Sequence, residues 1–422
     1  MDSSVGDFEE EPAEKLPAQG KERLRLTGIW WDRSGVARLH RSDGKVADFQ
    51  VPWPDEGSYL DRMVLDLSSP QMFFHTTFGD WVCAELPAAD ELAPLNGRPV
   101  VYLDQKDWST LFKALRDPAR VQNPVEKEAA HRLMELADAR RIVLPLSHGH
   151  FSETAKFTNA RSRYNLSLTM LRLSAGWQMR DPLEVRRQEL TAAIARELGS
   201  APTAAGPAAV FTLEPWAISS KPESYPNGLP PEVQGLFQAV LHMTVYFSLA
   251  FDPDSTPMGP VDGWVKKQQN HTDRLHEEDR PRERRRKIAL AFALEDASRE
   301  MAEAAAATEA TSAEFENWLK RVWFTDLANL PAFAFFRELF VGKHLNATTR
   351  WEENDLTDMW YLATAAAYAD YVVAERRTIS LLGEAAQRLN VEKQLHRNLS
   401  NLVEQLERDP RVQGDARGRT RM

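Results

Sequence analysis

The feature that most constrains the fold is a short apolar run that ends abruptly at an acid. Residues 99–103 read Pro-Val-Val-Tyr-Leu and are followed directly by Asp104. A continuous apolar run of this length is typical of a strand that is buried on both faces, as in a parallel sheet. An acid that closes such a run is costly to bury unless it faces a cleft. The run therefore predicts a buried strand with Asp104 at the mouth of a site.

The segments that follow alternate between helix and strand patterns. Residues 126–140 have the apolar spacing of an amphipathic helix, and residues 141–146 form a second apolar run before a helix that carries Glu153. Late in the chain, the short run 371–374 ends at Glu375. Strands that alternate with helices are typical of a parallel sheet. We therefore predict an α/β fold, a three-layer α/β/α parallel sheet, with a large helical insertion and a small N-terminal β-rich module.

Changes in composition along the chain give the expected domain organisation. Turn-forming residues at 32–35 and 42–44 separate short alternating runs, which is typical of antiparallel strands. The stretch around residues 202–231 is rich in Ala, Pro, Gly and Ser and interrupts a mainly helical region. The predicted units are a disordered leader (1–22), a small β-rich module (23–87), the first half of the α/β domain (97–165), a mainly helical insertion (166–343), the second half of the α/β domain (344–408) and a flexible tail (409–422).

Charge and composition exclude several classes of protein. The net charge of -10 argues against broad electrostatic attraction to nucleic acid, although it does not exclude a nuclease whose catalytic carboxylates add to the negative count. The single cysteine, Cys83, excludes an internal disulfide framework and a cysteine-built zinc site. No apolar run approaches the roughly 20 residues of a membrane span, and the acidic N-terminus does not have the layout of a signal peptide. These patterns predict a cytoplasmic protein without a membrane partner.

Acidic residues gather where the predicted sheet would present a ligand site. Asp104 and Glu375 follow predicted strands, and ligands of an open parallel sheet bind beyond the carboxyl ends of its strands. Asp355 and Asp358, at i and i+3 in the first turn of a predicted helix, share a face. Clustered carboxylates repel one another unless a cation neutralises them, and Mg²⁺ or Mn²⁺ prefers such oxygen ligands.

Several of these residues also have a purely structural explanation. Asp355 and Asp358 could be first-turn acids that the helix dipole favours, and Asp370 could be a turn residue. Lys106 and Arg376 lie beside the proposed ligands in the sequence, where they could contact a phosphate or could simply be solvated. A haloacid-dehalogenase-type site would need an aspartate two residues after Asp104, where this chain has Lys106. No GxxxxGK[ST], GxGxxG or GxSxG motif supports a nucleotide-binding or serine-hydrolase function.

Three segments together resemble the PIN-domain superfamily of metal-dependent ribonucleases. They are residues 101–105 (Val-Tyr-Leu-Asp-Gln), residues 144–148 with Glu153, and Asp358 followed by residues 372–376. The resemblance implies that Asp104, Glu153, Asp358 and Glu375 bind Mg²⁺ or Mn²⁺, with Asp355 and Asp370 as supporting candidates and with Lys106 and Arg376 near the substrate. The family usually has a threonine and an aspartate where this chain has Val373 and Glu375. The insertion is also much larger than in a minimal PIN domain.

The predicted function is a metal-dependent endoribonuclease, with a toxin-like or defence-related role by family analogy alone. Its predicted partner is an RNA substrate. The alternative is a catalytically weak PIN-like module that binds RNA or protein, with the β-rich module or the helical insertion as the docking surface for a protein partner or for a second copy of the chain.

Overall fold

The computed structural model describes most of the chain. The described residues are 26–50, 53, 59–67, 69, 71–85, 95, 97–200, 206–214, 217–218, 244–252, 261–325, 330–348 and 350–413. The predicted disordered leader and residues 414–422 of the predicted tail lie outside them. Residues 410–413 of that tail form a short helix, and Asp409, just before it, accepts a hydrogen bond of 3.0 Å from the Tyr371 hydroxyl.

The N-terminal part of the chain forms a six-stranded antiparallel sheet. Its strands are β1 (Leu26–Asp32), β2 (Val36–Arg41), β3 (Val46–Gln50), β4 (Leu60–Asp66), β5 (Gln71–Thr76) and β6 (Trp81–Glu85), in the order β3-β2-β1-β4-β5-β6. Tight turns join the first strands, and they contain Gly35 at φ 80° and Gly44 at φ 77°. Glycine suits these positions because side chains disfavour positive φ. The predicted turn signals thus lie at the observed turns.

One face of this sheet packs on the helical part of the chain. The alternating residues Met63, Leu65, Met72 and Phe74 of β4 and β5 are buried. They belong to the same apolar core as buried residues of the helices, among them Trp108. Alternation with a period of two places these side chains on one face of the sheet. The sheet and the helices are therefore joined by a common core.

A small parallel sheet lies at the centre of the remaining chain. It consists of β7 (Val101–Leu103), β10 (Tyr371–Val373) and β11 (Gln394–His396) in the order β11-β10-β7. Two further short strands, β8 (Gln178–Met179) and β9 (Phe211–Thr212), pair with each other in antiparallel fashion. All three residues of β7 and all three of β10 are buried.

Helices make up most of the rest. The helices are α1 (Gln105–Arg116), α2 (Pro124–Asp138), α3 (His148–Ala155), α4 (Ala160–Ser174), α5 (Pro182–Glu197), α6 (Pro207–Val210), α7 (residues 244–251), α8 (Asp262–Glu277), α9 (Arg282–Asp296), α10 (Ser298–Ala307), α11 (Ser312–Thr325), α12 (Pro331–His344), α13 (Glu353–Tyr368), α14 (Arg376–Leu389), α15 (Leu399–Arg408) and α16 (Pro410–Gln413), with a 3-10 turn at Pro118–Arg120. None of the described helices is both long and apolar enough to cross a membrane.

The predicted fold class is wrong. The chain combines a six-stranded antiparallel sheet with a mostly helical remainder, and its three-stranded parallel sheet does not amount to a PIN-like three-layer core. The second predicted strand, residues 141–146, makes only isolated bridges, from Val143 to Val100 and from Leu146 to Gln178. Pro145 lies between these bridges and has no N–H to donate to a ladder. The apolar run is buried as predicted, but it does not extend the sheet.

Candidate acid site

Asp104 is fixed at the carboxyl edge of the parallel sheet. It follows β7 directly, and its backbone N–H donates to the Val373 carbonyl of β10 at 2.9 Å. Its side chain caps α1 by accepting from the Gln105 N–H at 2.8 Å. A half-buried carboxylate held from both sides in this way has little freedom to move.

Glu375 lies at the same edge. Because β10 runs parallel to β7 with Val373 opposite Leu103, the residues after the two strands are neighbours. Burial raises the pKa of Asp104, and the negative charge of Glu375 raises it further. The Glu375 side chain is exposed and makes no capping hydrogen bond to α14.

Helix α3 holds Glu153 beside this edge. His150 connects the start of the helix to the sheet, because its Nδ1 accepts from the Ser147 N–H at 3.0 Å and its Nε2–H donates to the Leu103 carbonyl at 2.8 Å. Burial lowers the pKa of His150 to about 4, so the ring is neutral and can both donate and accept. The Gln105 amide also donates to the Thr154 hydroxyl at 2.9 Å. Both connections are anchored in residues next to Asp104.

Helix α13 brings Asp358 close to Glu153. The helices α3 and α13 approach closely at Gly149, where an added Cβ would lie 3.0 Å from the Tyr361 ring. Glu153 follows Gly149 by one helical turn, and Asp358 precedes Tyr361 by three residues, so both acids lie near this crossing. They line the same open cavity of about 300 Å³. The other residues that line it are Gly149, Ser152, Lys156, Val261, Asp262, Glu353, Asn354 and Thr357.

The acids raise one another's proton affinity. Burial, followed by the charge of Asp104, raises the pKa of Glu153 to about 7. Burial also raises the pKa of Asp358 to about 7, with further contributions from Glu153 and Asp104. The Asp358 side chain lines the cavity and is exposed, so water screens part of this effect. Asp104, Glu153 and Asp358 therefore form one electrostatically coupled group.

Two further predicted ligands have structural partners. Asp355 accepts from the Glu352 N–H at the start of α13 and pairs with Lys343. Asp370 accepts from the Val100 N–H at 2.8 Å and pairs with Arg411 at 2.6 Å. Because Asp370 precedes β10, it lies at the opposite edge of the sheet from Asp104. The structure thus brings Asp104, Glu153, Asp358 and Glu375 to one edge, places Asp355 close by and places Asp370 elsewhere.

The predicted substrate contacts, Lys106 and Arg376, are both exposed near the acids and do not line the cavity.

One important acid was not predicted from the sequence. Asp107 is only 5% exposed, and burial raises its pKa to about 7, with added repulsion from Asp104. Its spacing from Asp104 is the same i, i+3 signal that drew attention to Asp355 and Asp358, so the sequence could have revealed it.

The donors fit a divalent cation in chemistry but not in present arrangement. Neighbouring carboxylates are the oxygen ligands that Mg²⁺ or Mn²⁺ takes, and a cation would relieve their repulsion. Among the residues that the structure describes, however, no three Asp, Glu, His or Cys side chains are grouped so that they could hold a metal ion.

Comparison with known proteins adds no assignment. No protein-family model, no curated protein and no solved structure matches the chain. The geometry of the acids and the motifs in the sequence are therefore the basis for assigning a function.

Proposed function

We propose that the chain is a metal-dependent endoribonuclease that hydrolyses RNA phosphodiester bonds at the acid site. The observation that carries the proposal is the group of Asp104, Glu153 and Asp358, whose pKa values are all raised by burial and then by the charge of a neighbouring acid, which is Glu375 for Asp104, Asp104 for Glu153 and Glu153 for Asp358. Carboxylates are rarely gathered at this cost unless their charge is used, and perturbed pKa values are common at functional sites. An RNA substrate and a cytoplasmic setting belong to the same proposal and follow from the sequence patterns.

In this proposal the residues have distinct roles. Asp104, which is held by its backbone and by its cap of α1, is the fixed ligand. Glu153 and Asp358 contribute oxygen atoms from α3 and α13, and Glu375 adds one from the neighbouring strand end. A bound Mg²⁺ or Mn²⁺ would supply activation of a water and neutralisation of phosphate charge. The three sequence segments that resemble PIN-type motifs support these roles.

The proposal is tested by incubating the purified chain with single-stranded RNA and Mn²⁺ or Mg²⁺. The wild type is expected to cleave, and Asp104→Asn and Asp358→Asn are each expected to lower the rate by about 100-fold or more, since a catalytic cation contributes several kcal/mol to transition-state stabilisation. Cleavage products are resolved on a denaturing gel.

Asp48→Asn is the matched control. Asp48 is exposed on the N-terminal sheet, where its one ion pair among the described residues is with Arg38, so the same chemical change should leave cleavage unaltered. Equal rates in the wild type and in both acid-site variants would refute the nuclease proposal. So would the absence of cleavage by the wild type across RNAs of varied sequence.

One observation favours a second candidate, a catalytically weak module that binds RNA or protein. The acids are not arranged as a formed metal centre within the described part of the chain, and Val373 and Glu375 replace the residues usual in the family. The half-exposed Trp30 and Trp81 of the sheet would provide apolar contacts for a protein partner or for a second copy of the chain. RNA binding by the wild type without any cleavage would favour this candidate.

A further inference from the structure

We propose that Lys156 and Asn354, with Ser152 behind them, bind a phosphate group of the RNA backbone next to the acids. The inference rests on the proposed function, because it assigns the contact that would hold the substrate of that site. It also replaces Lys106 and Arg376 as the main candidates for phosphate recognition.

The position of Lys156 is the first observation that supports a phosphate site. Lys156 is the C-cap residue of α3, one turn after Glu153, and it lines the same cavity as Glu153 and Asp358. Among the described residues that line this cavity, Lys156 is the only cation. A cation beside several acids suits a phosphodiester. The cation can contact the phosphate directly, and the acids can hold a metal ion that contacts it as well.

The present contacts of Lys156 are easy to exchange. Its Nζ donates to the Asn354 Oδ1 at 3.0 Å, which connects α3 to the first turn of α13. Its charge lowers the pKa of both Glu153 and Asp358, so it lies near these acids, yet it makes no ion pair of 4 Å or less within the described part of the chain. Both side chains are exposed. The Lys156 ammonium and the Asn354 amide N–H could therefore donate to an incoming phosphate while both helices stay folded.

Ser152 provides an independent observation. The residue is 8% exposed and lines the cavity, and its hydroxyl has no hydrogen-bond partner within the described structure. A buried hydroxyl without a partner costs free energy, so it calls for an explanation. An acceptor oxygen in the cavity, such as that of a phosphate, would satisfy it.

The competing candidates lie outside this arrangement. Lys106 and Arg376 are exposed and do not line the cavity. Lys106 lies near Asp104 and Asp107, since its charge lowers the pKa of both.

The test measures RNA binding without cleavage. Fluorescence anisotropy of a fluorescein-labelled single-stranded RNA is recorded in EDTA at two or more salt concentrations. Lys156→Ala should weaken binding by about 10-fold, the value of one charge-assisted hydrogen bond, and should reduce the salt dependence by about one phosphate contact. Lys156→Arg should restore most of the affinity because it keeps the positive charge. The reduced salt dependence of Lys156→Ala is the result that a purely structural role for the Asn354 contact would not predict.

Lys320→Ala is the matched control, because Lys320 is exposed on α11 and its one ion pair in the part of the chain that the structure describes is with Glu316. It should leave the affinity for RNA unchanged, and Lys106→Ala should weaken RNA binding less than Lys156→Ala does. The inference is overturned if the wild type binds no RNA, if Lys156→Ala binds RNA as tightly as the wild type, or if Lys106→Ala weakens RNA binding more than Lys156→Ala does. Binding that depends on Lys156, in a protein that cleaves nothing with Mn²⁺, would refute the nuclease and leave the phosphate site in place.

Discussion

At the scale of single residues, Asp107 is a buried carboxylate whose charged neighbours are mostly acids. Asp104, Glu126 and Glu375 all raise its pKa, and Lys106 is the nearby cation that lowers it. No hydrogen bond or ion pair of its side chain is found within the described structure. A buried charge without a partner destabilises the fold, and protonation removes that cost.

Asp107→Asn is therefore expected to stabilise the chain at high pH. The pKa of about 7 in the folded chain is above the value of 3.8 expected when unfolded, so the folded state holds the proton more tightly and loses stability as pH rises between these values. The variant should gain about 1–3 kcal/mol of unfolding free energy at pH 8 and less at pH 5. Urea unfolding in EDTA measures this. A variant that is less stable than the wild type at pH 8 would contradict the prediction.

Around Asp104, some features of single residues could be predicted from the sequence and others could not. The position of Asp104 after a buried run was predictable because an acid there needs solvent or a partner. The neutral His150 bridge between Ser147 and Leu103 was not predictable, because Leu103 is brought to α3 only by the tertiary fold. For the same reason, the sequence could not reveal that Lys156 faces the cavity and Lys106 does not.

At the scale of elements, the crossing of α3 and α13 decides the distance between Glu153 and Asp358. Gly149→Ala should destabilise the chain by about 1–2 kcal/mol, because the new methyl group would lie 3.0 Å from the ring of Tyr361, which is only 6% exposed and has little room to move. Thermal unfolding of the variant measures the effect. The same change should weaken binding of Mn²⁺ by separating the two acids.

Gly383→Ala in α14 is the control for this substitution. An added Cβ at Gly383 meets nothing within 4 Å, so alanine should stabilise the helix by up to about 1 kcal/mol through its higher helix propensity. A gain in stability at Gly149 similar to that at Gly383 would show that the helices can separate without cost.

The start of α13 shows why element boundaries were harder to predict than elements. Asparagine is a preferred N-cap residue, so the sequence favours a helix that starts after Asn354, but the helix begins at Glu353 after Glu352, and Asp355 accepts from the Glu352 N–H. Asn354 instead accepts from Lys156 of α3, a contact that only the tertiary fold creates. Asp355 can serve as a capping residue or as a ligand, and the sequence alone does not choose between these roles.

At the scale of the whole molecule, the sequence predicted individual strands better than it predicted how the strands assemble into sheets. The alternating N-terminal strands form a sheet, and β7 and β10 are the buried strands expected around Asp104 and Glu375. The extent of the parallel sheet could not be read from apolar runs, because a run such as 141–146 is equally compatible with buried coil, and Pro145 prevents a continuous ladder. The shared core of the sheet and the helices depends on contacts distant in sequence, such as that between Phe74 and Phe247.

This shared core predicts that the sheet and the helices unfold together. The rings of Phe74 in β5 and Phe247 in α7 lie 5.1 Å apart, and both are fully buried. Phe74→Ala should therefore lower the unfolding free energy of the helices by about 3–5 kcal/mol, the usual cost of such a cavity. Phe49→Ala, on a β3 residue that is 50% exposed, is the matched control and should change it by less than about 0.5 kcal/mol. Far-ultraviolet circular dichroism in urea, which reports mainly on the helices, measures both variants. A helical midpoint that does not respond to Phe74→Ala would mean that the sheet is an independent unit, because a cavity confined to such a unit could not destabilise the helices.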